Sequence, residues 1–150
     1  MTSGSTATQA GASDRAKLYS RLRGSSSGAL VMLILQFALG IGVNLYIEPK
    51  KGGFGEAFSN GPLLAIHAIL GLLLIIAAIG HLVLAIRAKH GAIIGLSVLG
   101  LIAIAAAASS GSSFLSDHAE GSSLGMGLAA AVAMLCYVFC LRIEGERPAS

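Results

Sequence analysis

A chain of 150 residues has room for one domain, and its composition excludes a soluble one: 55% of the residues are hydrophobic, 11% are charged, and the mean hydropathy is +0.81. The net charge of +3 gathers in no basic face or motif, which excludes nucleic acid as a partner. The two cysteines, Cys136 and Cys140, lie one helical turn apart in an apolar run. That is a poor geometry for a disulfide, so they read as buried free thiols.

In chain order, residues 1–27 are rich in Ser, Thr, Ala and Gly and carry Arg15, Lys17, Arg21 and Arg23. This composition predicts a disordered basic tail. The apolar run Gly28–Ile47 is longer than a cleaved signal segment and reads as a retained first helix. Pro62–Ile86 follows, with no Ser, Thr, Asn, Gln, acid or base, and only His67 and His81 as polar side chains. It exceeds the ~20 residues needed to cross a hydrocarbon core of ~30 Å. The third and fourth spans are Gly91–Ser110 and Ser122–Leu141, within a membrane domain of residues 28–142, and 143–150 form a short C-terminal tail. The short link Arg87–His90 makes the second and third spans antiparallel neighbours.

The expected fold is therefore all-α, an integral membrane four-helix up-down bundle. The tail, the short link and the C-terminal segment hold every Lys and Arg except Lys50 and Lys51, which places both termini in the cytoplasm. The loop around Asp117, His118 and Glu120 falls on the outer side. The bilayer is the first partner, and a homo-oligomer or a larger membrane complex is the second.

Along the second span, His67, Gly71, Leu74, Ala78, His81 and Ala85 recur at spacings of four and three, which makes one helix face. Small residues on that face let a neighbouring backbone approach, so it faces protein. The fourth span opens with Gly121-x-x-x-Gly125, and its stripe Met126, Ala130, Ala133, Tyr137 and Cys140 supplies a facing surface. Counting depths brings Asn44, His67, Ser109, Ser110 and Met126 to the same leaflet. No acid or base falls within any of the four spans.

A histidine inside hydrocarbon is a functional candidate because it needs a partner or ligand. Two readings follow. In one, His67 and His81 are cofactor ligands for haem b, imidazole being a usual axial ligand and a bundle interior a usual site. Met126 then opposes His67, while His81 has only Cys136 or Cys140 nearby. In the other reading, His67 hydrogen-bonds Asn44 or a serine and His81 sits in a polar pocket. The chain shows no nucleophile–base pair, H-E-x-x-H motif or paired carboxylates, which argues against an enzyme.

The run Leu64-Ala-Ile-His67-Ala-Ile-Leu-Gly71-Leu-Leu-Leu resembles that of small four-helix bacterial membrane proteins of unknown function. More remotely it is similar to one half of haem A synthase and to other four-helix b-type cytochromes. The resemblance implies a multi-pass protein of the bacterial cytoplasmic membrane, with a second-helix histidine paired to one in the fourth helix. The corresponding stretch here, Ser123-Leu-Gly-Met126-Gly-Leu, has no histidine. A small haem-binding or redox protein is the specific expectation. A non-catalytic accessory subunit is the alternative, and a small transporter acting as a dimer comes third.

Overall fold

The computed structural model describes residues 3–46, 61–117 and 120–146, with side chains described for 13–46, 61–113 and 121–146. All of the regular structure among them is helical: α1 (Ser3–Tyr46), α2 (Pro62–Ala88), α3 (Gly91–Asp117) and α4 (Glu120–Gly145). All four helices are long and apolar enough to cross a membrane. The physical cause is the same in each: inside hydrocarbon every backbone N–H and C=O must be paired within the segment, and a helix does this. Lys50, Lys51 and His118 lie outside the described residues.

Local chemistry sets the helix ends. Gly61, at φ 117°, caps α2 in a conformation that a side chain would strain, and Pro62 occupies the first turn, where no N–H is missed. Lys89 ends α2 in the left-handed region at φ 53° and donates its N–H to the Ile86 carbonyl. His90, the last residue of the link, accepts the Ile93 N–H through Nδ1 and so caps α3.

Each helix packs on two neighbours, with α1 against α2 and α4, and α3 against α2 and α4. Three layers organise the interior. A basal layer joins Leu22, Ala85, Ile93 and Cys140. A middle layer includes Ala29, Leu33, Leu74, Ala78, Ala103, Ile104, Ala133 and Tyr137. A distal layer begins at Val43 and Leu64. The large apolar side chains left exposed, such as Val31, Ile66, Ile102 and Leu135, face outward on all four helices, as a hydrocarbon solvent requires.

Two expectations change. The composition of residues 1–27 predicts a disordered tail, yet α1 begins at Ser3 and spans 44 residues, roughly 66 Å at 1.5 Å per residue. Leu22 and Ser26 are fully buried, so the bundle itself holds this part of the helix. The fourth span does not stop at Leu141: α4 continues through Arg142 and Glu144, and Glu144 is buried. The Ser26 hydroxyl donates to Glu144 Oε1 at 2.9 Å, which pairs two groups that composition alone places outside the core and leaves Glu144 Oε2 buried without a partner.

Candidate functional site

The distal half of the bundle encloses a cavity of about 300 Å³. Its polar lining includes Gln36, Asn44, His67, Ser112 and Ser123, with the Met126 thioether among apolar side chains. Phe37, Ile41, Leu45 and Leu72 line it and are also among the exposed apolar side chains. His67 and Met126 therefore meet at one cavity, as depth counting expects. A Cβ placed on Gly40 would lie 3.2 Å from His67 Cε1 and 3.9 Å from the Met126 methyl. Gly40 is thus the spacer that lets the two approach one another.

His67 has a partner, and it is neither Asn44 nor a serine. Gln36 Nε2 donates to the His67 backbone carbonyl at 3.0 Å and stands 3.2 Å from His67 Nε2. One amide nitrogen with two hydrogens serves both contacts, and an amide nitrogen does not accept. The carbonyl contact fixes the amide orientation, so Nε2 of His67 carries the lone pair and Nδ1 carries the proton. Two polar atoms are then left buried without a partner: His67 Nδ1 and Gln36 Oε1. One is a donor and the other an acceptor.

Gly71 makes this pairing possible. A Cβ there would stand 3.0 Å from Gln36 Nε2, so even a methyl group would make the amide give way by a few tenths of an ångström. The small residues of the His67 face thus do more than admit a neighbouring backbone. Gln36 is the residue that sequence reading missed. The available signal was simple: Gln36 and Asn44 are the only carboxamides between Gly28 and Tyr46. A polar side chain inside a span seeks another across the helix interface.

His81 does not belong to this site. It is fully buried on α2 below the middle layer, and its ring stacks edge-on against Tyr137 with centroids 5.2 Å apart. Cys136 and Cys140 are free and buried, as expected. Among the described residues, no group of three or more His, Cys, Asp or Glu side chains converges in a way that would hold a metal ion. Gly125 meets Ser110, where a Cβ would lie 3.4 Å from Oγ, whereas Gly121 faces open space, so only half of the glycine pair mediates packing.

No family model, curated protein or solved structure matches this chain.

Proposed function

We propose that this protein is a multi-pass membrane protein that binds a lipid-soluble small molecule in the distal cavity. The observation that carries the reading is the unpaired donor–acceptor couple, His67 Nδ1–H and Gln36 Oε1, on an otherwise apolar cavity. Leaving such groups unpaired inside hydrocarbon costs about 1–3 kcal/mol each, which a ligand with matching polar atoms recovers. The exposed apolar side chains among its lining, Phe37, Ile41, Leu45 and Leu72, suit a ligand that arrives through the bilayer. A volume of about 300 Å³ is at the small end for ligand sites, which suits a single ring with carbonyl or hydroxyl substituents. A quinone-type headgroup has that shape: its carbonyl accepts from His67 Nδ1–H and, in the reduced quinol, a hydroxyl donates to Gln36 Oε1. The fold we infer is an up-down bundle, supported by the basal layer joining residues near the start of α1, the end of α2, the start of α3 and the end of α4. By the basic-residue bias, both termini are cytoplasmic.

A second reading, haem b held by His67 and Met126, is favoured by their approach over Gly40. It requires Gln36 to leave Nε2, since the lone pair that would bind iron faces the amide. It also requires the cavity to widen for a tetrapyrrole. One experiment separates the two. Protein purified in detergent is examined by a reduced-minus-oxidised absorption spectrum and by organic extraction with mass spectrometry. The ligand reading expects an extractable quinone or similar ring compound, lost in His67→Ala, without haem bands. Haem bands that vanish in His67→Ala would replace it by the cytochrome reading. An extract and spectrum the same in wild type and His67→Ala would refute both.

A further inference from the structure

The two unpaired atoms of the distal cavity are opposite in kind. Gln36 and His67 meet across the interface of α1 and α2, and each leaves one polar atom buried without a partner, Gln36 Oε1 and His67 Nδ1. Glycines keep room beside both. A Cβ on Gly40 would lie 3.8 Å from His67 Nδ1, one on Gly71 would lie 3.8 Å from the Gln36 amide carbon, and both glycines line the cavity. Because the amide nitrogen donates to the His67 carbonyl and approaches Nε2, the imidazole proton sits on Nδ1. Nδ1–H is therefore a donor, and Oε1 is an acceptor.

Neither atom is free to exchange its role. Turning the Gln36 amide over would put Oε1 where Nε2 now stands, 3.0 Å from the His67 carbonyl oxygen, and two acceptors would meet. Moving the imidazole proton to Nε2 would relieve the ring contact but not the carbonyl one. That carbonyl belongs to the α2 backbone and cannot turn away. The other polar groups on the wall are less demanding. The Asn44 amide and the Ser123 hydroxyl can each present a donor or an acceptor, so they suit either kind of ligand oxygen. Discrimination between ligands rests on Gln36 and His67.

Resting on the reading of this cavity as a ring-ligand site, we propose that it selects the reduced, hydroxyl-bearing form of its ligand, a quinol over the corresponding quinone. A quinol offers both partners: one ring oxygen accepts from Nδ1–H, and a hydroxyl donates to Oε1. A quinone carries acceptors only. It pairs with Nδ1–H and leaves Oε1 unpaired and out of reach of water, which costs binding energy. Sites that hydrogen-bond a ligand hydroxyl reject the analogue lacking it far more strongly than an apolar pocket rejects a missing methylene. A preference of at least tenfold is expected, and a tenfold preference raises the midpoint of the bound two-electron couple by about 30 mV over the free one. Occupancy of the site then follows the reduced fraction of the ring compound dissolved in the bilayer. Binding alone produces this effect, and no electron or proton passes to the protein.

The test is equilibrium dialysis of the full-length protein in detergent micelles under anaerobic conditions. The probes are duroquinone, its quinol kept reduced with dithionite, and the dimethyl ether of that quinol. The ether keeps both ring oxygens but has no hydroxyl to donate. The same measurement on His67→Ala corrects for partition into micelles. The quinol is expected to bind at least tenfold more tightly than the quinone, and more tightly than the ether. Gln36→Met removes Oε1 and keeps the side-chain length. In that variant, shown to be folded by circular dichroism, the ratio of quinol to quinone affinity should fall to about one, whatever happens to either affinity alone. Equal, His67-dependent binding of quinol and quinone would overturn the preference and leave the ligand site standing. Binding of every probe at the His67→Ala level would overturn both. A preference undiminished in Gln36→Met would place the discrimination on another group and overturn the proposal.

Discussion

The two halves of the bundle treat buried polarity in opposite ways. In the distal half, Gln36 and His67 pair with one another and leave a donor and an acceptor on an open cavity, beside Gly40 and Gly71. In the basal half there is no such room at the close approach of α3 and α4: a Cβ on Gly100 would lie 3.4 Å from the Tyr137 ring and 3.5 Å from Cys136. The same residue type thus borders an open cavity in one half and lets a helix close on an aromatic ring in the other. Glycine in a membrane helix has to be read together with what faces it.

Adding volume to each half sharpens the contrast. Gly100→Leu has no space to enter, and overpacking of this kind costs about 1–3 kcal/mol or more. A clear fall in the thermal midpoint in detergent is expected, and an unchanged midpoint would show that α3 and α4 are not in this contact. Removing the hydroxyl in Ser26→Ala leaves Glu144 Oε1 without its donor, at a cost of about 1–3 kcal/mol. It should lower the midpoint almost as much, and replacing Glu144 by Gln in the same background should recover little of it. The reverse sign is expected in the distal half. Ala107 lines the cavity, so Ala107→Leu fills space and should raise stability by about 0.5–2 kcal/mol while excluding the ligand. A destabilised Ala107→Leu would mean that the cavity is already filled. The smallest effect belongs to Gly121→Ala, where nothing lies within 4 Å: the midpoint should move by less than ~0.5 kcal/mol equivalent, in contrast to Gly125→Ala against Ser110.

Much of the architecture was legible in the amino-acid sequence, because hydropathy and length decide membrane helices almost alone. The start of α2 at Pro62 follows from a glycine–proline pair and the absence of polar side chains beyond it. His67 and Met126 were legible as a pair because depth along two helices is a matter of counting. Three features were not. Gln36 escaped because attention to charge and histidine passes over a single carboxamide in an apolar run. Ser26 and Glu144 were hidden because Arg142 looks like the end of a span and a Ser/Gly-rich stretch looks like a tail. Each looks misplaced alone, and their hydrogen bond together with the burial of Leu22 explains why the helices stay packed past the apolar runs. The separation of His81 from the cavity depends on helix rotation, which spacing on one helix does not supply. Both histidines lie on the same face of α2, but one meets a cavity and the other meets Tyr137.

The most direct measurement is a 15N NMR titration of the histidine side chains, with a short-chain benzoquinone added to the full-length protein in detergent micelles. In the free protein, His67 should show a protonated Nδ1 and an unprotonated Nε2. The quinone should shift the Nδ1 resonance saturably while leaving His81 in place. In Gln36→Leu the tautomer preference should be lost and the affinity should fall at least tenfold, equivalent to about 1.4 kcal/mol. A His67 resonance unmoved at saturating quinone, or a shift at His81 in its place, would contradict a ligand site built on His67 and Gln36.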